Sequence, residues 1–144
     1  MIIVGNGKLV TRDNAMPFIA DGAVVMDGPV IVKVGTTQEM KQAYADAEFI
    51  DAKGGIIMPA FINTHEHIYS AMARGLSING YNPKGFLDIL DGQWWTIDRK
   101  LTLAQTKYSA MDTMISCIRN GVTTIFDHHA SFGHIKGSLF EIAD

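Results

Sequence analysis

The chain has one cysteine, Cys117, among its 144 residues. It therefore forms no disulfide with itself, and no zinc site built on paired cysteines is available. Such sparse thiol usage suits a reducing compartment, and the cytoplasm is the expected location. Long apolar runs are also missing. Nothing approaches the roughly 20 consecutive apolar residues of a membrane span. The opening Met1-Ile-Ile-Val-Gly5 is interrupted by glycine too early for a secretory leader. Basic residues are few: 12 Lys and Arg against 15 Asp and Glu leave a net charge of −3. No cluster among them makes the footprint of a nucleic-acid binder. Neither a membrane nor a nucleic acid is thus an expected partner. What remains is 47% hydrophobic and 19% charged, the balance of a folded globular chain.

Residues 1–55 read as short β-branched runs separated by turns. Residues 1–4 and 8–11 flank Gly5-Asn6-Gly7, and residues 23–26 and 30–34 flank Asp27-Gly28-Pro29, so two hairpins are expected. Thr36 with Glu39 three positions on fits a capping box and predicts a short helix.

At Gly54-Gly55 the pattern changes. Residues 56–63 form an apolar run that predicts a strand buried on both faces. A helical stretch over 68–76 and a loop over 77–85 follow. Thr102 and Gln105 make a second capping box. Behind it Ala104, Tyr108, Met111, Ile115 and Ile118 form one apolar stripe, the face an amphipathic helix usually buries. Asn120-Gly121 supplies the stop, and an apolar strand over 122–126 runs into Asp127-His128-His129. Strand, helices and strand are the grammar of a βα repeat in a parallel sheet, giving an α/β class for residues 56–144 after a β-rich segment of residues 1–55.

Residues two apart in a strand share a face. His65 and His67 therefore leave the carboxyl end of the 56–63 strand together, with Glu66 opposite. Two neutral imidazoles so placed are suited to a divalent ion. Spacing alone is a weak signal, because five histidines in 144 residues give such a pair by chance in roughly one sequence in six. The same alternation sends Asp127 and His129 to one face of the second strand and His128 to the other.

The surrounding residues make the signal specific. Asp51-Ala-Lys-Gly54-Gly-Ile-Ile-Met-Pro59-Ala-Phe-Ile-Asn63-Thr-His65-Glu-His67 resembles the start of the barrel in the amidohydrolase superfamily, whose common form is D-x-x-G-x-x-x-x-P-G-x-x-[DN]-x-H-x-H. Ala60 departs from the usual glycine, and Glu66 from a smaller residue. Trp94-Trp95-Thr-Ile-Asp98-Arg99 and the stretch from Gly121 to Ser131, with Gly137-Ser138-Leu139 after it, resemble selenium-metabolism-associated (SsnA-like) aminohydrolases within that superfamily.

The resemblance implies an N-terminal β-sandwich-like segment followed by the first βα units of a TIM-type (β/α)₈ barrel. Such a barrel takes about 250 residues, so a truncated one is expected here. It implies one divalent metal, zinc or alternatively iron, held by His65, His67 and residues of later strands, which acidifies a water. That water attacks an amino-bearing carbon of a small-molecule substrate, a nitrogen heterocycle. His128, His129, Trp95 and Asp98 fall where related enzymes place substrate-binding groups, whereas the general acid and base are expected beyond residue 144. Two alternatives stand beside this deaminase reading. One is a ring-opening amidohydrolase of dihydropyrimidinase type; the other is a non-catalytic fragment acting only through association. Association with a second copy, as a homo-oligomer, is expected on the same ground, since a two-strand parallel fragment leaves edges and apolar faces uncovered.

Overall fold

In the computed structural model, which describes residues 1–144, Ile2–Val10 form one continuous strand, β1. The hairpin expected around Gly5-Asn6-Gly7 does not form. Asn6 takes φ 55 and the register against the next strand jumps between Val4 and Gly7. The flexible triplet makes a bulge within a strand, which bends the ladder without ending it. β2 (Phe18–Asp27) pairs antiparallel with β1. The second expected turn is present: Gly28, at φ 54, passes the chain to β3 (Val30–Thr36). Helix α1 (Thr37–Ala43) opens on the Thr36/Glu39 capping box. β4 (Glu48–Asp51) and β5 (Ile56–Ile57) then return parallel to β1, giving the order β3-β2-β1-β4 with β5 also on β1. Ile3, Ala23, Val25 and Met40 form the core under Tyr44 and Phe49. Each large side chain buried there contributes about 1.5–3 kcal/mol. These elements make up one compact unit, Met1–Pro59; the other is Ala60–Asp144.

The single strand expected over residues 56–63 is divided. Ile56–Ile57 belongs to the first sheet, and Met58, Pro59 and Ala60 carry no strand pairing. Pro59 lacks the N–H that a central ladder position must donate. A new strand, β6 (Phe61–Glu66), follows. Burial on both faces also fails, with Phe61 56% and Ile62 58% exposed. After β6 come a 3₁₀ segment (Ile68–Ala73), α2 (Phe86–Ile89), a π-helical turn (Leu90–Trp94), α3 (Trp95–Lys100) and α4 (Leu103–Arg119). β7 (Val122–Asp127) pairs parallel with β6, and α5 (Ser138–Ala143) completes the unit. This is a mixed α/β arrangement with a helical crossover between parallel strands.

Helix α4 begins at the Thr102/Gln105 capping box and ends at Asn120, with Gly121 at φ 71 beyond it. Its apolar stripe faces outward, contrary to the pattern-based expectation: Tyr108 is 58%, Ile115 50% and Ile118 75% exposed. The buried face is Thr106, Ser109, Ala110, Thr113 and Cys117, which packs on the 3₁₀ segment and α5. Small side chains let α4 lie close enough for Ser109 Oγ to accept the Met72 N–H at 3.3 Å. No helix is long and apolar enough to cross a membrane.

Candidate functional site

β6 delivers His65 from its last turn of pleat and His67 one residue past its end. Their rings lie 5.4 Å apart, centroid to centroid, at an interplanar angle of 72°. β7 brings a third imidazole beside them: His128 is 5.8 Å from both His65 and His67. All three are exposed. No group of three or more His, Cys, Asp or Glu side chains converges where an ion could be held. Two imidazoles fall short of the three protein ligands that a catalytic zinc normally has.

Backbone and side-chain hydrogen bonds fix this corner. The Asn63 amide donates to Glu66 Oε2 at 2.7 Å, and Glu66 Oε1 accepts the His67 N–H at 3.1 Å. Glu66 therefore folds back on its own strand. Asn63 Oδ1 in turn accepts the His65 N–H at 3.2 Å. His67 Nδ1 sits 2.9 Å from the His128 carbonyl oxygen. A carbonyl only accepts, so Nδ1 carries the proton, and in the neutral ring Nε2 keeps a lone pair that could bind a metal. Imidazole nitrogen suits zinc and iron alike.

His65, His67, Arg74, Gln93, Trp94 and Cys117 line one cavity of about 880 Å³. Trp94 is therefore the tryptophan on this cavity; Trp95 is 36% exposed and does not line it. Arg74 pairs with Asp112 at 3.0 Å on the surface. Cys117 is buried, and burial raises its thiol pKa.

Asp127 and His129 are half-buried, unlike the three exposed imidazoles. Asp127 Oδ2 and His129 Nδ1 are 3.3 Å apart, and His129 Nε2 is 3.0 Å from the buried Ser138 Oγ. The Tyr69 ring lies 5.2 Å from that of His129. Asp98, only 3% exposed, completes this inner layer with its Oδ1 unpartnered. His134, by contrast, is exposed and bonds the Leu101 carbonyl at 2.9 Å.

Burial pushes the Asp98 carboxyl above its usual range, against the opposing hydrogen bond from Tyr69 and the proximity of His67. Burial, with Asp98 beside it, likewise drives the Tyr69 phenol well above its ordinary value. A raised carboxyl pKa means that the folded state prefers the neutral acid. The cost of the charge is fully present above that pKa and is relieved as pH falls through it. Asp98→Asn is therefore expected to raise the melting temperature near pH 7 by a few degrees. The gain should shrink towards about pH 4 as the native carboxyl takes up its proton. An asparagine variant that melts lower at neutral pH, or whose advantage is independent of pH, would contradict this account.

The fold of the chain has counterparts among solved structures. A mutant of the atrazine chlorohydrolase TrzN from Arthrobacter aurescens, complexed with zinc and atraton, superposes with a TM-score of 0.79 at 24% identity, over 99% of this chain and 32% of that one. E. coli guanine deaminase superposes at 0.71 with 23% identity, over 99% of this chain and 34% of that one. At such identities the likeness establishes the fold. Residues 56–138 match the model of the Amidohydrolase family, and the chain belongs to that family.

Among its relatives, the 5'-deoxyadenosine deaminase of Methanococcoides burtonii is 30% identical over 131 residues, covering 88% of this chain. The 5-methylthioadenosine/S-adenosylhomocysteine deaminase of Thermococcus onnurineus is 32% identical over 126 residues, again 88% of this chain. The chain spans 27% of the length of each of these two relatives.

Proposed function

We propose that the chain contributes two ligands, His65 and His67, to the divalent metal centre of a hydrolytic deaminase, with zinc as the metal and iron the alternative. In this reading β6, the helices after it and β7 are the opening βα repeat of a (β/α)₈ barrel. The observation that carries the proposal is the pair itself. Two exposed imidazoles stand 5.4 Å apart at the carboxyl end of a parallel strand, and one is held in the tautomer that leaves Nε2 its lone pair. In parallel barrels that end of the strands is where active sites are built.

When bound, a divalent ion supplies Lewis acidity that lowers the pKa of water from 15.7 towards about 7. The overall reaction adds water to an amino-bearing sp² carbon and expels ammonia, so that one C–O bond forms and one C–N bond breaks. The relatives named for adenosine-type nucleosides favour an amino-substituted nitrogen heterocycle as substrate. Trp94 offers a flat face to such a ring and Gln93 an amide that both donates and accepts. His128, exposed beside the pair, is the histidine of β7 in reach of substrate. His129 and Asp98 support the layer behind it. The test is the zinc content of the purified chain by plasma mass spectrometry. Zinc bound by the chain and lost in His65→Ala/His67→Ala is the expected result, and zinc retained by that double variant would sink the reading.

A further inference from the structure

Residues 66, 67 and 68 are each tied to the end of β7. The Glu66 carbonyl accepts the His128 N–H at 2.9 Å, the His67 ring donates to the His128 carbonyl at 2.9 Å, and the Ile68 N–H donates to Asp127 Oδ1 at 3.0 Å. His67 lies beyond the last paired position of β6, opposite which stands Asp127. Its backbone, at φ −126 and ψ 70, belongs to neither the strand nor the following 3₁₀ segment. Nothing in the β-ladder holds it. Glu66 Oε1 accepts the His67 N–H at 3.1 Å and Ser70 Oγ donates to the His67 carbonyl at 3.2 Å, both from the same stretch of chain. Asp127 is the side chain that reaches the turn from β7, and Ile68, which it anchors, is only 3% exposed.

We propose that Asp127 is the positioning residue of the histidine pair. By accepting the Ile68 N–H it fixes the turn on which His67 leaves the strand, and so keeps the His67 ring against the His128 carbonyl with Nε2 free. The proposal rests on reading His67 as a metal ligand, but its structural half is independent of any metal. The two ring nitrogens are distinct, and the hydrogen bond made by one decides which presents the lone pair. A ring released into water prefers the Nε2–H form and must change tautomer before Nε2 can ligate, so its preorganisation is lost. The contact between Asp127 Oδ2 and His129 Nδ1 at 3.3 Å offers a rival role, in which Asp127 serves only its neighbour on β7.

Two measurements on the full chain separate these roles. Long-range ¹H–¹⁵N correlation spectra of the metal-free protein report the tautomer of each imidazole, and zinc titration reports affinity. The parent His67 is expected as the Nδ1–H form. In Asp127→Ala it should shift towards Nε2–H, with zinc affinity lower by about 10–100-fold, the usual consequence of losing an outer-shell partner. Asp127→Asn keeps an oxygen for the Ile68 N–H and should retain both the tautomer and the affinity to within about threefold. His129→Gln should leave the His67 tautomer unchanged. A parent His67 in the Nε2–H form overturns the proposal. So does an Asp127→Ala variant with unaltered tautomer or affinity, or an Asp127→Asn variant that loses the Nδ1–H form. Should Asp127→Ala fail to fold, the parent, Asp127→Asn and His129→Gln spectra still decide. If the parent shows the expected tautomer but its zinc survives His65→Ala/His67→Ala, the ligand reading fails while the structural role of Asp127 stands.

Discussion

Replacing His65 and His67 together by alanine is expected to abolish stoichiometric zinc binding while leaving the melting temperature near that of the parent chain. Both side chains are exposed, so their removal opens no cavity, and surface substitutions usually stay within about 0.5 kcal/mol. One side-chain hydrogen bond is lost, from His67 Nδ1 to the His128 carbonyl, but that oxygen remains open to water. The binding loss should exceed the ~10–100-fold typical of removing an outer-shell partner, because the donor atoms themselves are gone. The single variants should differ. His67→Ala removes the ring already held in the ligating tautomer, whereas the His65 ring has no such bond. Retention of one zinc per chain by the double variant would place the metal elsewhere. A melting temperature that fell with zinc binding intact would show that the histidines serve the fold.

How far this was legible from residue order depends on the range over which each signal acts. Both capping boxes are legible because a capping box is complete within four residues; Thr36/Glu39 and Thr102/Gln105 open their helices as read. The turn at Gly28 is equally local. Gly5-Asn6-Gly7 has the same chemistry, yet β2 runs long enough to pair on both sides of it, and tertiary pairing turns a hairpin signal into a bulge. The outward stripe on α4 is the plainest miss. Periodicity identifies an apolar face, but which face is buried depends on what lies opposite, here a 3₁₀ segment approached through Ser109 and Ala110.

At the candidate site, strand alternation anticipates His65 beside His67, but His67 lies one residue past β6 and His128 and His129 past β7, so the bonds between the two strand ends hold them there. The two tryptophans are another matter. Leu90–Trp94 is π-helical, and a π-turn inserts an extra residue, so the 3.6-residue period loses its phase before Trp94. No count along the chain then tells Trp94 from Trp95. The roles of Asn63, Glu66 and Asp127 were hidden for a different reason. Each acts on a backbone N–H, at His65, His67 and Ile68 respectively, and such a bond leaves no mark on the partner's side-chain identity.

Gly133→Ala is expected to be the most damaging single methyl addition in the second unit. A β-carbon at Gly133 would lie 2.3 Å from the Arg99 carbonyl oxygen and 2.9 Å from its carbon. Both atoms are backbone near the carboxyl end of α3, so no side chain can swing away. The close approach has a purpose: the Gly133 N–H donates to the Asp98 carbonyl at 3.1 Å, and the neighbouring His134 ring donates to the Leu101 carbonyl at 2.9 Å. Together they satisfy carbonyls that the end of a helix leaves without intrahelical partners. A methyl group must push the loop off α3, losing these bonds and adding strain typically worth about 1–3 kcal/mol. For a unit of this size that is roughly 4–8 °C of melting temperature per kcal/mol. Gly85→Ser is the matched control, since a β-carbon there meets nothing within 4 Å and serine is favoured at the helix N-cap it occupies. It should melt within a degree or two of the parent. If Gly133→Ala melts with Gly85→Ser, the loop after β7 does not lie on α3, and the burial of Asp98 beneath it loses its structural basis.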